Sequence, residues 1–226
     1  MIIKRILDLF CGAGGAARGL RSAFPEAEIV GVDHVWQKRY PYTFVQSDAM
    51  DFPLEGYDLI WASLPCQHYS RLKHFAKRNY GSHIPALRAR LKASGKSYVI
   101  ENVPLAPLIN PLTLCGTMFG LNTIKHRLFE INPAIWFPPA TCSHLKKTVR
   151  AGRRPADNQY HCIAGNFADL PGAKKAMGID WMTRKKMLQA IPRIYAEWIG
   201  RTISQRLIVS NQLAFDIASA DSYVGV

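Results

Sequence analysis

The chain has 226 residues, 48% hydrophobic and 20% charged, which fits one domain with a small appendage and excludes disordered and fibrous classes. Twenty-nine Lys and Arg against 16 Asp and Glu leave a formal charge of +13, which favours a polyanionic partner. No amphipathic basic helix, lipidation motif, long apolar run or signal peptide points to a membrane. Five scattered cysteines, an odd number, argue against a disulfide framework, so a cytoplasmic nucleic-acid protein is expected.

Residues 2–10 form an apolar, β-prone run that stops at Cys11-Gly12-Ala13-Gly14-Gly15, and helix-compatible sequence follows over 16–24. Further short apolar runs cover 28–33, 43–48, 58–63 and 97–100. The first two of these end on Asp33 and Asp48, the third leads into Leu64-Pro65-Cys66, and the fourth into Glu101-Asn102. Strands alternating with helix-like stretches predict a doubly wound, mostly parallel, Rossmann-like α/β sheet. Such sheets bind ligands beyond the carboxyl ends of their strands, and here those ends carry the glycines, the acids and the cysteine.

Residues 66–96 hold eight Lys or Arg, three His and no acid, which reads as a basic loop followed by a helix near 86–93. A strand is expected at 128–131. Residues 132–165 are basic, helix-poor and broken by Pro and Gly, as in a small inserted lobe. Helix is expected over 174–206 with an interruption at Pro192, and the stripe Trp181, Met182, Lys185, Leu188 and Ile191 has the spacing of a core face. The stretch after 207 is assigned no element.

A strand, a glycine turn and a helix together suit a nucleotide-type cofactor, because glycines admit close backbone approach and the helix N-terminus offers free N–H groups. A plain strand-to-helix turn competes with that reading. Asp33, at the end of the second strand, has the position of a ribose-diol acceptor, and Asp48 could accept from an adenine amine. A helix N-cap is the alternative for either one. S-adenosylmethionine or a dinucleotide fits. Cys66 leaves a strand end directly into basic sequence, where neighbouring positive charge lowers a thiol pKa; by position alone, nucleophile and structural cysteine both stay open. Cys11 and Cys115 are expected to pack internally. Cys142-x-His144 and His161-Cys162 are pairs of zinc-ligand type, but their spacings are short and irregular for a zinc module, so no metal site is expected.

Several segments in order resemble the cytosine C5 DNA methyltransferases. Asp8-Leu-Phe-Cys-Gly-Ala-Gly-Gly15 is similar to that family's first cofactor motif, and Leu64-Pro-Cys-Gln-His-Tyr-Ser70 to its nucleophile motif. Glu101-Asn-Val103, Thr123-Ile-Lys-His-Arg-Leu-Phe129 and Leu188-Gln-Ala-Ile-Pro192 resemble the Glu-Asn-Val, Arg-x-Arg and Gly-Asn-Ala-Val-Pro-Pro elements. Segments 114–120 and 176–182 are similar to small phage-type members. The resemblance implies a methyltransferase that uses S-adenosyl-L-methionine on a cytosine flipped out of double-stranded DNA, acting as a monomer. It implies that Cys66 adds to C6, that Glu101 bonds N3 and the exocyclic amine, and that Arg127 holds O2. The cofactor would then lie against Phe10, Gly12, Gly14, Asp33, His34, Asp48, Ala49 and Pro65, with Trp36 an alternative to His34 beside the adenine.

Lys125 replaces the first Arg of the Arg-x-Arg element, Gln189 replaces Asn, and Arg193 replaces the second Pro. The division implied is a catalytic core over 1–131, a small basic target-recognition lobe over 132–170, a helical return over 171–206 and a tail over 207–226. Only a short or relaxed target suits so small a lobe.

Overall fold

The computed structural model describes residues 2–66, 69, 83–135 and 139–221, with side chains to 209. Of the basic stretch expected over 66–96, residues 67–82 other than Tyr69 therefore lie outside the described residues.

Five strands carry the parallel part of the sheet: β1 (Arg5–Leu9), β2 (Glu28–Asp33), β3 (Thr43–Gln46), β4 (Leu59–Ser63) and β5 (Ser97–Asn102). Two more close it, β6 (Leu112–Leu114) and β7 (Arg127–Asn132). The order across the sheet is β3-β2-β1-β4-β5-β7-β6, with β7 antiparallel to both β5 and β6. The expected α/β sheet is thus present, mostly parallel, and its chain order reverses between β1 and β4. At that reversal the connections leave to opposite faces and open a crevice at the strand ends.

Alternation along each strand explains the two layers of core, since successive side chains point to opposite faces. Ile6, Trp61, Val99 and Phe129 face one side and pack with α1 (Gly15–Ala23) and α5 (Arg193–Asp221). Leu7, Leu9, Ile60 and Ile100 face the other and pack with Leu87 and Leu91 of α2 (Ile84–Ala93). A third cluster joins Ile163 and Phe167 of the lobe to α3 (Leu170–Met177), α4 (Arg184–Gln189) and Ala13 of the glycine turn.

The helical stretch expected over 174–206, with a break at Pro192, is three helices. Gly178, at φ 65, ends α3 in the left-handed region, Thr183 caps α4 by accepting from Lys186 N, and Pro192 precedes α5. The residues after 207 continue α5 to Asp221. Glycine 19 allows α1 and α5 to meet at backbone distance, because a Cβ there would lie 2.3 Å from the Arg193 carbonyl oxygen.

The lobe contains one short pairing, β8 (Lys147–Thr148) beside β9 (Gln159–Tyr160). It joins the core through His161 N donating to Asn122 O at 2.9 Å and Thr123 Oγ1 donating to His161 O at 3.1 Å. Among the described residues no helix is long and apolar enough to cross a membrane.

Candidate active site

The chain leaves β1 through a turn that few residues tolerate. Phe10, Gly12 and Gly14 have φ of 54, 51 and 79. Phe10 carries left-handed strain of the kind that persists where surrounding structure enforces it. Gly14 has no such strain to pay, and its missing Cβ is needed because the Pro41 ring would stand 2.6 Å from it. The turn is pinned from β2: Cys11 N donates to Val32 O, and Gly12 N donates to Asp33 Oδ2 at 3.0 Å. Asp33 Oδ1 accepts from Val35 N at 2.9 Å, so the carboxylate is oriented by two backbone donors.

Beyond the turn lies a cavity of about 330 Å³, within the range of small-molecule sites. Phe10, Gly12, Asp33, His34 and Pro65 line one part of it, and Cys66, Glu101 and Arg127 also line it. Eight of the residues named from sequence therefore share one space. Gly14 shapes the turn without lining the cavity. Asp48 is exposed and its Oδ1 accepts from Met50 N at 2.8 Å, while Ala49 is buried in the second core layer; neither lines the cavity. Trp36 is 62% exposed and stands edge-on to Phe44, leaving His34, Val35 and Gln37 as the residues after Asp33 that line the space.

The opposite wall comes from the C-terminal return: Met182, Lys185, Lys186, Gln189, Ala190 and Ile191. Lys185 is exposed and lines the cavity, so it does not belong to the core stripe in which its spacing placed it. Two long-range bonds hold this wall in place, Trp181 Nε1 to Ala13 O at 2.8 Å and Lys186 Nζ to Gln37 Oε1 at 2.6 Å. The Leu188-Gln-Ala-Ile-Pro192 motif marked part of this wall, but the lysines before it carried no signal in the sequence.

At the strand ends β4 and β5 the chemistry converges. Asn102, buried, donates from Nδ2 to Leu64 O at 3.3 Å and accepts from Val103 N at 2.9 Å. It thereby ties the segment bearing Pro65 and Cys66 to β5. Glu101 is 6% exposed and pairs with Arg127 Nε at 3.1 Å. Burial raises the Glu101 carboxyl above the usual range, and Arg127, a hydrogen bond from Ser63 and Lys125 oppose that shift. Arg127 is also held by Nη1 donating to the His126 carbonyl at 2.8 Å.

The Cys66 thiol departs from expectation. Its pKa is raised, chiefly by burial and then by the charge of Glu101, with Arg127 and Lys125 pulling the other way. Proximity to positive charge in the sequence pointed to a lowered value; desolvation wins because the thiol lies inside the cavity wall. Lys125 is buried, its Nζ donating to Leu188 O at 3.4 Å, and burial lowers its pKa to about 7. A neutral amine there costs less than a buried ammonium, which explains how a lysine fits this place.

A glycine turn at the sheet's reversal point, an acid at the end of β2 and an antiparallel β7 define the fold of the S-adenosylmethionine-dependent methyltransferases. No family model matches the chain. Human tRNA (cytosine(38)-C(5))-methyltransferase is similar, 28% identical over 117 residues, 44% of this chain and 30% of that protein. Malonyl-[acyl-carrier protein] O-methyltransferase of Legionella pneumophila is 31% identical over 72 residues, 26% of this chain and 25% of that one. The matches thus span a third or less of these relatives. Among solved structures, the Entamoeba histolytica methyltransferase EhMeth superimposes with a TM-score of 0.54 and 14% identity, over 91% of this chain and 99% of that one.

Proposed function

We propose that the protein is a DNA (cytosine-5-)-methyltransferase using S-adenosyl-L-methionine. The observation that carries this reading is the meeting of Cys66, Glu101 and Arg127 in one cavity with the glycine turn and Asp33. Mere binding of a nucleic acid requires no thiol at that place.

The residues fit the cofactor. Asp33 is held by two backbone donors and keeps lone pairs for a ribose diol, and Gly12 of the positive-φ turn lines the cavity with no side chain. When bound there, S-adenosylmethionine supplies an electrophilic methyl group. Phe10, His34 and Pro65 would flank it.

The target cytosine would enter from the Cys66 side, flipped from its duplex at a cost of a few kcal/mol. Glu101, whose carboxyl burial favours protonated, would donate its proton to N3 and accept from the exocyclic amine. Arg127 would hold O2. Protonation at N3 would make C6 electrophilic, so the Cys66 sulfur would bond to C6 as its own proton passes to water. The electron pair released toward C5 makes that carbon the nucleophile for the methyl group. Loss of the C5 proton to water, breaking of the sulfur–C6 bond and return of the N3 proton to Glu101 would then restore the ring and free Cys66. The raised thiol pKa assigns part of the barrier to removing the Cys66 proton.

The same chemistry on RNA is the second reading, favoured by the similarity to the human tRNA enzyme over 44% of the chain. Tritiated methyl transfer to unmethylated duplex DNA, to RNA and to dCMP, each repeated with Cys66→Ser, separates them. The expected result is label at C5 of cytosine in DNA, reduced about 10³-fold or more in the variant, with cofactor affinity unchanged. Label confined to RNA or dCMP would move the substrate, and label retained by Cys66→Ser would overturn the nucleophile assignment.

A further inference from the structure

Next to β6 and β7, four side chains of metal-ligand type come together. They are Cys115, which follows β6, His126, which precedes β7, and Cys142 and His144 of the lobe; their ligand atoms all lie within 4.8 Å of one another. We propose that these four residues bind one zinc ion, which fastens the lobe to the β6–β7 edge of the sheet.

The donor set comes first. Two thiolates and two imidazoles are a common structural zinc set, closed and tetrahedral, with Zn–S near 2.3 Å and Zn–N near 2.0–2.1 Å. A tetrahedron of those bond lengths has sulfur–nitrogen edges of roughly 3.6 Å. Two such edges are already in place: Cys115 Sγ stands 3.4 Å from His144 Nε2, and Cys142 Sγ stands 3.7 Å from His126 Nε2. The two imidazoles meet edge to face with centroids 5.1 Å apart, and both present Nε2 to a sulfur. Both cysteines are free thiols.

The surroundings suit a structural ion. Cys115 is fully buried and its Sγ lies 3.4 Å from the Thr117 hydroxyl, a donor that can stabilise a metal-bound thiolate. The lobe needs a fastening, since residues 141–148 are all exposed and its one strand pairing among the described residues, β8 with β9, is two residues long. Small segments without enough core of their own are often held by a metal. The expected zinc-type pairs thus divide: Cys142 and His144 join partners from the core, whereas His161 faces Asp169 at 3.7 Å. The partners Cys115 and His126 were not foreseen because they are distant in sequence and meet only through the β6–β7 pairing.

The inference does not depend on methyl transfer, and its test reads metal alone. The full chain is purified, its zinc measured by mass spectrometry, and metal-free protein titrated with Zn²⁺ and with Co²⁺. We expect about one zinc per chain and, with Co²⁺, the visible absorption of a tetrahedral thiolate site. Cys142→Ser and His144→Ala change exposed residues, so both should fold, as circular dichroism will report. Each should weaken zinc binding by more than the roughly 10–100-fold typical of changes behind the ligands, while Cys162→Ser leaves it unchanged. Absence of zinc in the purified protein together with no uptake on titration would overturn the proposal, as would zinc binding unaffected by both variants.

Discussion

Asp8 shows how one buried acid sets a pH dependence. It is fully buried in β1, receives the Tyr40 hydroxyl on Oδ2 at 3.1 Å, and its Oδ1 has no partner among the described residues. Burial pushes its pKa up to about 8, with a smaller push from Asp33. The folded protein therefore keeps Asp8 protonated below about pH 8, while the unfolded chain ionises near 3.8. Between about pH 4 and pH 8 the folded state binds the extra proton, so rising pH destabilises it by up to about 1.4 kcal/mol per unit, and above pH 8 the loss is complete. Asp8→Asn, close in shape to the protonated acid, should remove that loss: urea unfolding at pH 5 and pH 8 should show the variant gaining on wild type as pH rises. An equal pH dependence in both would contradict the ionisation assigned to Asp8.

The same scale marks what a sequence can show of a site. Asp33 and Asp48 end short apolar runs alike, and nothing in the chain separates them. In the structure Asp33 fixes the glycine turn, whereas Asp48 caps its own turn at Met50. Cys66 was legible by position, but the direction of its pKa was not, because desolvation depends on walls built by distant segments.

Among elements, the contact of α1 with α5 decides whether the return segment reaches the cavity. Tyr195, Ala196 and Ile199 of α5 are fully buried with Ala17 and Leu20 of α1. Gly19 sits where a methyl group would strike the Arg193 carbonyl and Glu197 N. Gly19→Ala would ordinarily favour a helix; here we expect a loss of about 1–3 kcal/mol from overpacking, measurable as a lower melting temperature. A variant as stable as wild type would show that the two helices can separate without cost. The five parallel strands were legible because buried parallel strands are continuous apolar runs, whereas the short edge strand β6 was not foreseen. The division of 174–206 into three helices was less so, since Gly178 and the Thr183 cap interrupt a pattern whose apolar spacing runs on.

At the scale of the whole molecule, +13 of formal charge meets a cavity whose rim includes Lys185 and Lys186. Association with a polynucleotide should release counterions, so the logarithm of affinity should fall linearly with the logarithm of salt concentration. For roughly five to nine neutralised phosphates on duplex DNA the slope is about −4 to −8. Fluorescence anisotropy of a labelled duplex between low and moderate salt measures it, and a flat profile would contradict a polyanionic substrate. The lobe's composition was visible as a change in sequence character, but its attachment was not, because the residues that join it to the sheet belong to both.

Trapping tests the central claim, covalent attack by Cys66 on cytosine, most directly. A duplex bearing 5-fluorocytosine should accept the methyl group yet lack a C5 proton to lose, which blocks release of the sulfur. Incubation with S-adenosylmethionine should yield a complex that survives denaturation, with peptide mass spectrometry placing the methylated, fluorinated base on Cys66. Cys66→Ser should form none. A complex attached at another residue, or the absence of any complex from protein that methylates ordinary duplex DNA, would contradict the mechanism.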